Sequence, residues 1–256
     1  MYLYALNSGM RKSVETFGAF EKKPSINIYN ALKYYKNKNQ IKNNKDIYMI
    51  DIGGNIGWYP SFLGRYGYTI LSFEPFEINN YIGKKNFCSL NRNSNVIIIT
   101  KGLGNEEKTC EYYKDRLHSG NGMVLCNQTK PEKVQSNFIK TSTVEITRLS
   151  NFIPFLSNKR LALIKIDVEG AEAQVFEGGT ELITKYHVPF IFLEFSPSLL
   201  EEHGSNPKKF VQFFVDNGYN ISLESFLSKN YISVEELMHK VGYQVNCYFI
   251  YNHMVD

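Results

Sequence analysis

The strongest constraint on this chain is a short apolar strand that runs directly into a glycine turn. It reads Tyr48-Met49-Ile50-Asp51-Ile52-Gly53-Gly54-Asn55-Ile56-Gly57-Trp58. Residues without a Cβ let a backbone turn tightly and let a ligand approach it closely. From Asp46 onward, short β-branched runs alternate with longer helical stretches, the pattern of βαβ units around a parallel sheet. The predicted strands are Ile47–Ile52, Thr69–Phe73, Val96–Thr100, Leu161–Ile166, Val188–Phe195, Tyr219–Leu223 and Gln244–Tyr251. Strands covered on both faces read as unbroken apolar runs, as Val96-Ile97-Ile98-Ile99 and Phe190-Ile191-Phe192-Leu193 do. The expected class is α/β, with a mostly parallel sheet and helices on both faces.

Helix punctuation supports this frame. Asn206 followed by Pro207 opens a helix that runs to about Asn217, where Gly218 closes it. Ser233 and Glu236 form a capping box ahead of another short helix. Residues 102–146 are polar and aromatic without a helical period, which suggests an insertion of hairpins and loops on one rim. Residues 1–45 are expected to form one helix, about Ile26–Lys36, and a Lys/Asn-rich linker ahead of a main domain at 46–256.

Charge and composition narrow the function. Lys33, Lys36, Lys38, Lys42 and Lys45 against Asp46 account for the whole net charge of +4, so the rest of the chain is neutral. A basic linker without a basic folded face argues against a nucleic-acid partner. With 43% hydrophobic and 21% charged residues the chain is neither disordered nor low in complexity. No apolar run approaches the roughly 18 residues of a membrane span, and the N-terminus lacks the pattern of a secretory signal. Cys88, Cys110, Cys126 and Cys247 form no C-x-x-C pair. They read as reduced thiols in a reducing compartment rather than a disulfide framework or zinc site, so the expected location is the cytoplasm.

The glycine spacing discriminates between cofactors. A dinucleotide fingerprint needs G-x-G-x-x-G to seat a pyrophosphate on a helix N-terminus. Here Gly53-x-Asn55-x-Gly57 follows Asp51, and no pyrophosphate cradle is present. An acid in that place suits a ligand with a positive amino group. Glu74, in Ser72-Phe73-Glu74-Pro75, ends the next strand where a carboxylate can accept both hydroxyls of a ribose. Together these residues describe a pocket for S-adenosylmethionine. Asp51, Gly53, Gly54, Asn55, Gly57, Glu74 and Pro75 are the expected cofactor-binding set.

A second constellation, Leu163-Ile164-Lys165-Ile166-Asp167-Val168-Glu169-Gly170-Ala171-Glu172, ends the strand expected beside the first one. Three carboxylates this close are costly to bury without a cation, a proton or donors. Asp167 could assist deprotonation of an attacking hydroxyl, hold a divalent metal such as magnesium, or cap the next helix. Glu172 fits the first turn of that helix. Glu194 follows four apolar residues and should face the same rim, as a site acid or in a salt bridge. His118 lies in the insertion, where it could contact an acceptor or act as a base. The catalytic candidates are thus Asp167, Glu169, Glu194 and His118. Tyr112, Tyr113 and Trp58 could stack on a sugar or adenine, or simply fill the core.

Taken in order, these segments resemble the FkbM family of S-adenosylmethionine-dependent methyltransferases. Its members show an aspartate before Gly-Ala-Asn-x-Gly, then Phe-Glu-Pro with asparagines in the next helix, then Lys-Ile-Asp-Val-Glu-Gly-x-Glu. This chain has Asp51 before Gly53-Gly54-Asn55-Ile56-Gly57, then Phe73-Glu74-Pro75 with Asn79 and Asn86, then Lys165 to Glu172. Gly54 stands where alanine is usual. The resemblance implies a class I methyltransferase Rossmann-like fold of seven strands, the last antiparallel and inserted beside the fifth. It also implies O-methylation of a hydroxyl, often on a sugar or a polyketide-type metabolite, with Asp167 and Glu169 beside the reacting oxygen. Two other functions remain open at this point: a nicotinamide-dependent sugar oxidoreductase, which the glycine spacing disfavours, and a catalytically silent cofactor-binding module.

Overall fold

The computed structural model describes residues 9–89, 95–116, 122–126 and 137–255. In chain order the strands are β1 (Ile47–Ile52), β2 (Thr69–Phe73), β3 (Val96–Ile99), β4 (Gly102–Gly104), β5 (Lys108–Asp115), β6 (Gly122–Leu125), β7 (Phe138–Arg148), β8 (Arg160–Ile166), β9 (Phe190–Phe195), β10 (Tyr219–Ser222) and β11 (Val245–Tyr251). The helices are α1 (Gly9–Phe17), α2 (Lys22–Lys38), α3 (Trp58–Gly64), α4 (Glu77–Ser89), α5 (Ile153–Leu156), α6 (Glu172–Glu177), α7 (Glu181–Thr184), α8 (Pro197–Glu202), α9 (Pro207–Asp216) and α10 (Val234–Lys240).

Seven strands form the main sheet in the order β10-β11-β9-β8-β1-β2-β3. β11 is antiparallel to both neighbours and the other pairs are parallel. From β1 the chain winds outward through β2 and β3; it then returns to β8 on the other side and winds away through β9 and β11. That reversal between β1 and β8 opens a crevice at the carboxyl ends of the two central strands, where open α/β sheets bind ligands. The seven expected strands are all present, with ends shifted by two residues at most. The caps also stand as expected. Asn206 accepts the backbone N–H of Lys209, Gly218 takes φ +86°, and Ser233 and Glu236 complete the capping box.

Alternation along each strand divides the core in two. One face carries Ile50, Ile52, Leu71, Phe73, Ile164, Ile166, Ile191, Leu193 and Phe195, covered by α6, α9 and α10. The other carries Met49, Ile70, Leu163, Phe190 and Phe192, covered by α2 and α3. α2 is longer than the sequence suggested and is preceded by a second helix, α1. Ile28, Ala31 and Leu32 lie on one side of α2 and are fully buried, as the helical spacing requires. Lys33 and Lys38 lie on its exposed side, so the lysine-rich segment begins as the end of a helix. Cations there complement the helix dipole.

Strands β4 to β7 form a second sheet of four strands, β4-β7-β5-β6. It packs Cys110, Tyr112, Val144 and Ile146 against Phe76, which follows β2. The reading of reduced thiols is overturned for Cys110 and Cys126, which form a disulfide with Cα atoms 4.4 Å apart; the Cys88 side chain lies outside what the structure describes. The cause of the bridge is the hairpin register. Glu111 pairs with Leu125 across the antiparallel strands β5 and β6, which sets the residue before Glu111 and the residue after Leu125, Cys110 and Cys126, face to face. Cys247 is a buried thiol. With a disulfide present, the cysteine pattern no longer argues for a reducing compartment. Among the described residues no helix is long and apolar enough to cross a membrane.

Candidate functional site

The site follows from strand periodicity. On the face covered by α2 and α3, every second residue is apolar until the strand reaches its carboxyl end, and there the residue turns polar. Met49 is followed by Asp51, Ile70 by Ser72 and Glu74, Leu163 by Lys165 and Asp167, and Phe192 by Glu194. The pairing β9-β8-β1-β2 sets these groups side by side. Glu194 and Glu74 stand three strand spacings apart, roughly 14 Å at about 4.8 Å per strand. At that separation they cannot both touch one ribose.

The glycine turn is bound tightly to its neighbours. Gly53 has φ +76°, and a Cβ there would come within 1.8 Å of the Asp167 carbonyl oxygen, so only glycine fits. Asn55 adopts φ +46°, a left-handed conformation that asparagine tolerates. Its backbone N–H donates to Glu74 Oε2 at 2.8 Å. Glu74 Oε1 accepts from the Phe76 N–H at 3.0 Å and from Asn79 Nδ2 at 3.2 Å. Asn86 Nδ2 donates to the Ile56 carbonyl at 2.9 Å. The asparagines of α4 therefore hold the glycine turn and the Glu74 carboxylate in register. Burial pushes the Glu74 carboxyl up to about 7, against the lowering effect of these donors.

At the centre is Lys165, from the second sequence constellation. Its Nζ lies 3.6 Å from Asp51 Oδ1 and 3.8 Å from Asp167 Oδ2. It donates to the Gly53 carbonyl at 2.9 Å. Burial alone would lower its pKa, but Asp51, Asp167, Glu21 and Glu194 together raise it, so the ammonium keeps its charge. Asp51 is fully buried. Its Oδ2 accepts from the Ser72 hydroxyl at 3.2 Å, while Oδ1 has no hydrogen bond. Burial raises its pKa against the pull of Lys165.

The remaining expected residues divide clearly. Asp167 does not cap α6, whose N-cap is Ala171 without a side-chain bond, and instead faces Lys165. Glu172 accepts the N–H groups of Val168 at 3.1 Å and Gly170 at 3.2 Å, so it shapes the loop. Glu169 takes φ +55°, an uncommon conformation for a non-glycine residue. Its carboxyl is pushed up to about 7 by burial and by the nearby charges of Asp167 and Glu172, yet the residue as a whole is exposed. Glu194 is better enclosed; burial first, then Asp167, Glu21 and Glu169, push it up to about 7. Gln244 donates to its Oε1. Pro75 and Phe76 line a groove of about 580 Å³ with Glu77, Tyr112, Lys114 and Thr141–Thr143. Tyr112 stacks on Phe76 at 3.6 Å between centroids, and Trp58 stacks on Phe62, so these rings pack the protein itself. His118 lies outside the described residues. Among those residues no group of three or more His, Cys, Asp or Glu is placed to hold a metal ion.

Two groups of this cluster, Glu21 and Lys165, are not among the candidate site residues of the sequence analysis. Glu21, in the turn before α2, accepts a hydrogen bond from the Tyr59 hydroxyl and sits within electrostatic reach of Lys165, Asp167 and Asp51. No local pattern reveals a contact across 38 residues. Lys165 did carry a signal, a lone cation inside an otherwise apolar strand.

The arrangement has counterparts in known proteins. The family model described as "Methyltransferase FkbM domain" matches residues 51–221, from the acid before the glycine turn into the sixth strand of the main sheet. The chain belongs to the FkbM methyltransferase family. It is 30% identical over 148 residues to "Methyltransferase 1" of Beauveria bassiana, covering 52% of this chain and 58% of that protein. Structures of WbdD, titled as a bifunctional kinase-methyltransferase, are similar in fold at 10% identity and a TM-score of 0.52, covering 96% of this chain and 42% of WbdD. A co-crystal structure of WbdD with a kinase inhibitor gives 9% identity, a TM-score of 0.54 and 44% of that chain. This FkbM chain therefore spans little more than half of the fungal relative and less than half of WbdD.

Proposed function

We propose that this chain is an S-adenosylmethionine-dependent O-methyltransferase acting on a hydroxyl of a sugar, glycan or glycosylated metabolite. The observation that carries the reading is the charge at the crevice: among the described residues, Glu21, Asp51, Asp167, Glu169 and Glu194 all act electrostatically on one cation, Lys165. A buried excess of carboxylates needs a cationic partner. S-adenosylmethionine brings a sulfonium and an ammonium, and supplies an electrophilic methyl group. A nicotinamide dinucleotide would bring an anionic pyrophosphate to the same acids, and the turn has no cradle for it.

The residues fit this donor. Gly53, Gly54 and Gly57 let the backbone come close, and Asn55 and Asn79 hold Glu74 ready to accept the ribose hydroxyls. Pro75, which lines the groove with Phe76 and Tyr112, would pack against the adenine end. Asp51 lies where the amino-acid end would be. Asp167 and Glu169 would lie beside the acceptor oxygen, and Glu194, with a carboxyl near 7, would take the proton that the hydroxyl gives up. A base poised near the working pH is effective for such a transfer, and positioning supplies the rest. His118, in the insertion, would contact the acceptor from above. The sugar class of acceptor rests on the FkbM resemblance, while the Glu194 carboxyl suits any aliphatic hydroxyl. We assign residues 46–256 to the methyltransferase domain with an insertion at 102–146, and residues 1–45 to an N-terminal segment.

Calorimetry with S-adenosylhomocysteine and with NAD tests the donor. Binding of the nucleoside thioether without NAD is expected, and the reverse overturns the reading. A panel of glycans with isotopically labelled donor tests the acceptor. Label should appear as a methyl ether; transfer only to nitrogen or carbon would reject the O-methyl assignment.

A further inference from the structure

We infer that Glu21, carried by the turn that leads into α2, is a donor-binding residue that holds the ammonium of the donor's amino-acid end together with Asp51. The inference rests on the donor reading above and adds a residue from outside the matched segment 51–221.

Glu21 is set in place by several contacts. It adopts φ +43° and ψ +48° just ahead of α2, a left-handed conformation that costs a non-glycine residue energy and persists only when its surroundings enforce it. Those surroundings are visible. Ser25 accepts a hydrogen bond from Trp58 Nε1 at 2.9 Å, and Phe20 packs edge-on against Trp58. α2 is anchored by Ile28, Ala31 and Leu32 in the core. The Tyr59 hydroxyl donates to Glu21 Oε2, while the Tyr59 ring lies 5.5 Å from Lys165 Nζ. The turn thus brings a carboxylate within electrostatic reach of Lys165, Asp167 and Asp51.

Counting charges shows what it awaits. Glu21, Asp51 and Asp167 share one ammonium, that of Lys165. Lys165 leaves Asp51 Oδ1 at 3.6 Å without a hydrogen bond, although the atom is fully buried. A second ammonium, with three donors, would pair with Glu21 directly and offset the Asp51 charge through space. The amino-acid end of the donor is a cation of that size.

The test compares two ligands with the same nucleoside thioether, one with the amino-acid end and one without. S-adenosylhomocysteine and 5′-methylthioadenosine are titrated into the full chain by calorimetry. Glu21→Gln should weaken S-adenosylhomocysteine about tenfold or more, as loss of a charged hydrogen bond does, and leave 5′-methylthioadenosine unchanged. Tyr59→Phe keeps the carboxylate but removes the donor that aims it, and should give a smaller loss again confined to S-adenosylhomocysteine. It also serves if Glu21→Gln fails to fold. Equal losses for both ligands would assign Glu21 a purely structural role and overturn the inference, as would no loss for either. A wild-type chain that binds neither ligand would instead reject the donor reading itself.

Discussion

The two faces of the main sheet are built from the same strands and end differently. Under α6, α9 and α10 the apolar pattern continues to the last residue of each strand, at Ile52, Phe73, Ile166 and Phe195. Under α2 and α3 it stops one step short and gives way to Asp51, Ser72, Lys165 and Glu194. One face therefore supplies cohesion along its whole length. The other places stability at the amino end of the strands and chemistry at the carboxyl end. Alternation with a period of two makes this separation possible, because neighbouring residues on one strand face different surroundings.

The comparison is broken most severely at Lys165. Lys165→Met removes the cation from among buried carboxylates and leaves Asp51 uncompensated, at a cost of about 3–5 kcal/mol. Chemical denaturation should show that loss, and adding Asp51→Asn should recover part of it. A single variant as stable as wild type would show that the charge pairing is not structural. On the opposite face, Ile164→Ala removes a fully buried side chain and should cost about 2–5 kcal/mol. Its affinity for S-adenosylhomocysteine should stay unchanged in the folded fraction. If Ile164→Ala lowers donor affinity in the folded fraction, the two faces are not separable in function.

The smallest effect is on protons. Burial lifts Glu74 and Glu194 from an ordinary carboxyl value to about 7. The folded protein then binds more protons than the unfolded chain between about pH 4.5 and 7. These two groups therefore make the ligand-free protein less stable as pH rises through that window, and add no further slope above it. A cationic donor favours their charged forms, so binding near pH 6.5 should release protons. Calorimetric heats that do not vary with buffer ionisation enthalpy would show that these acids do not face the donor. Ile164→Ala should leave the proton release untouched.

Much of this design was legible in the sequence because the information is local. Strand ends, the glycine turn, the Asn206 cap and the Ser233–Glu236 box each need only a few neighbouring residues. The reach of α2 was underestimated because its lysines resemble a solvated linker, while Ile28, Ala31 and Leu32 mark the buried side. The Cys110–Cys126 bridge depends on the register of β5 against β6, which composition does not encode. Glu21 and Tyr59 meet only after α2 has docked on the sheet. The role of Lys165 required the neighbours of its strand, since a lysine in a buried run is costly until Asp51 and Asp167 are beside it.

The contact between Gly54 and Ser72 has consequences beyond this chain. A Cβ at position 54 would lie 2.2 Å from Ser72 Oγ, in the volume the hydroxyl uses to reach Asp51. The two positions contend for one methyl-sized space, so evolution should treat them as a linked pair. A homologue with alanine at the first position should carry a smaller or reoriented group at the second, and its aspartate should draw its hydrogen bond from elsewhere.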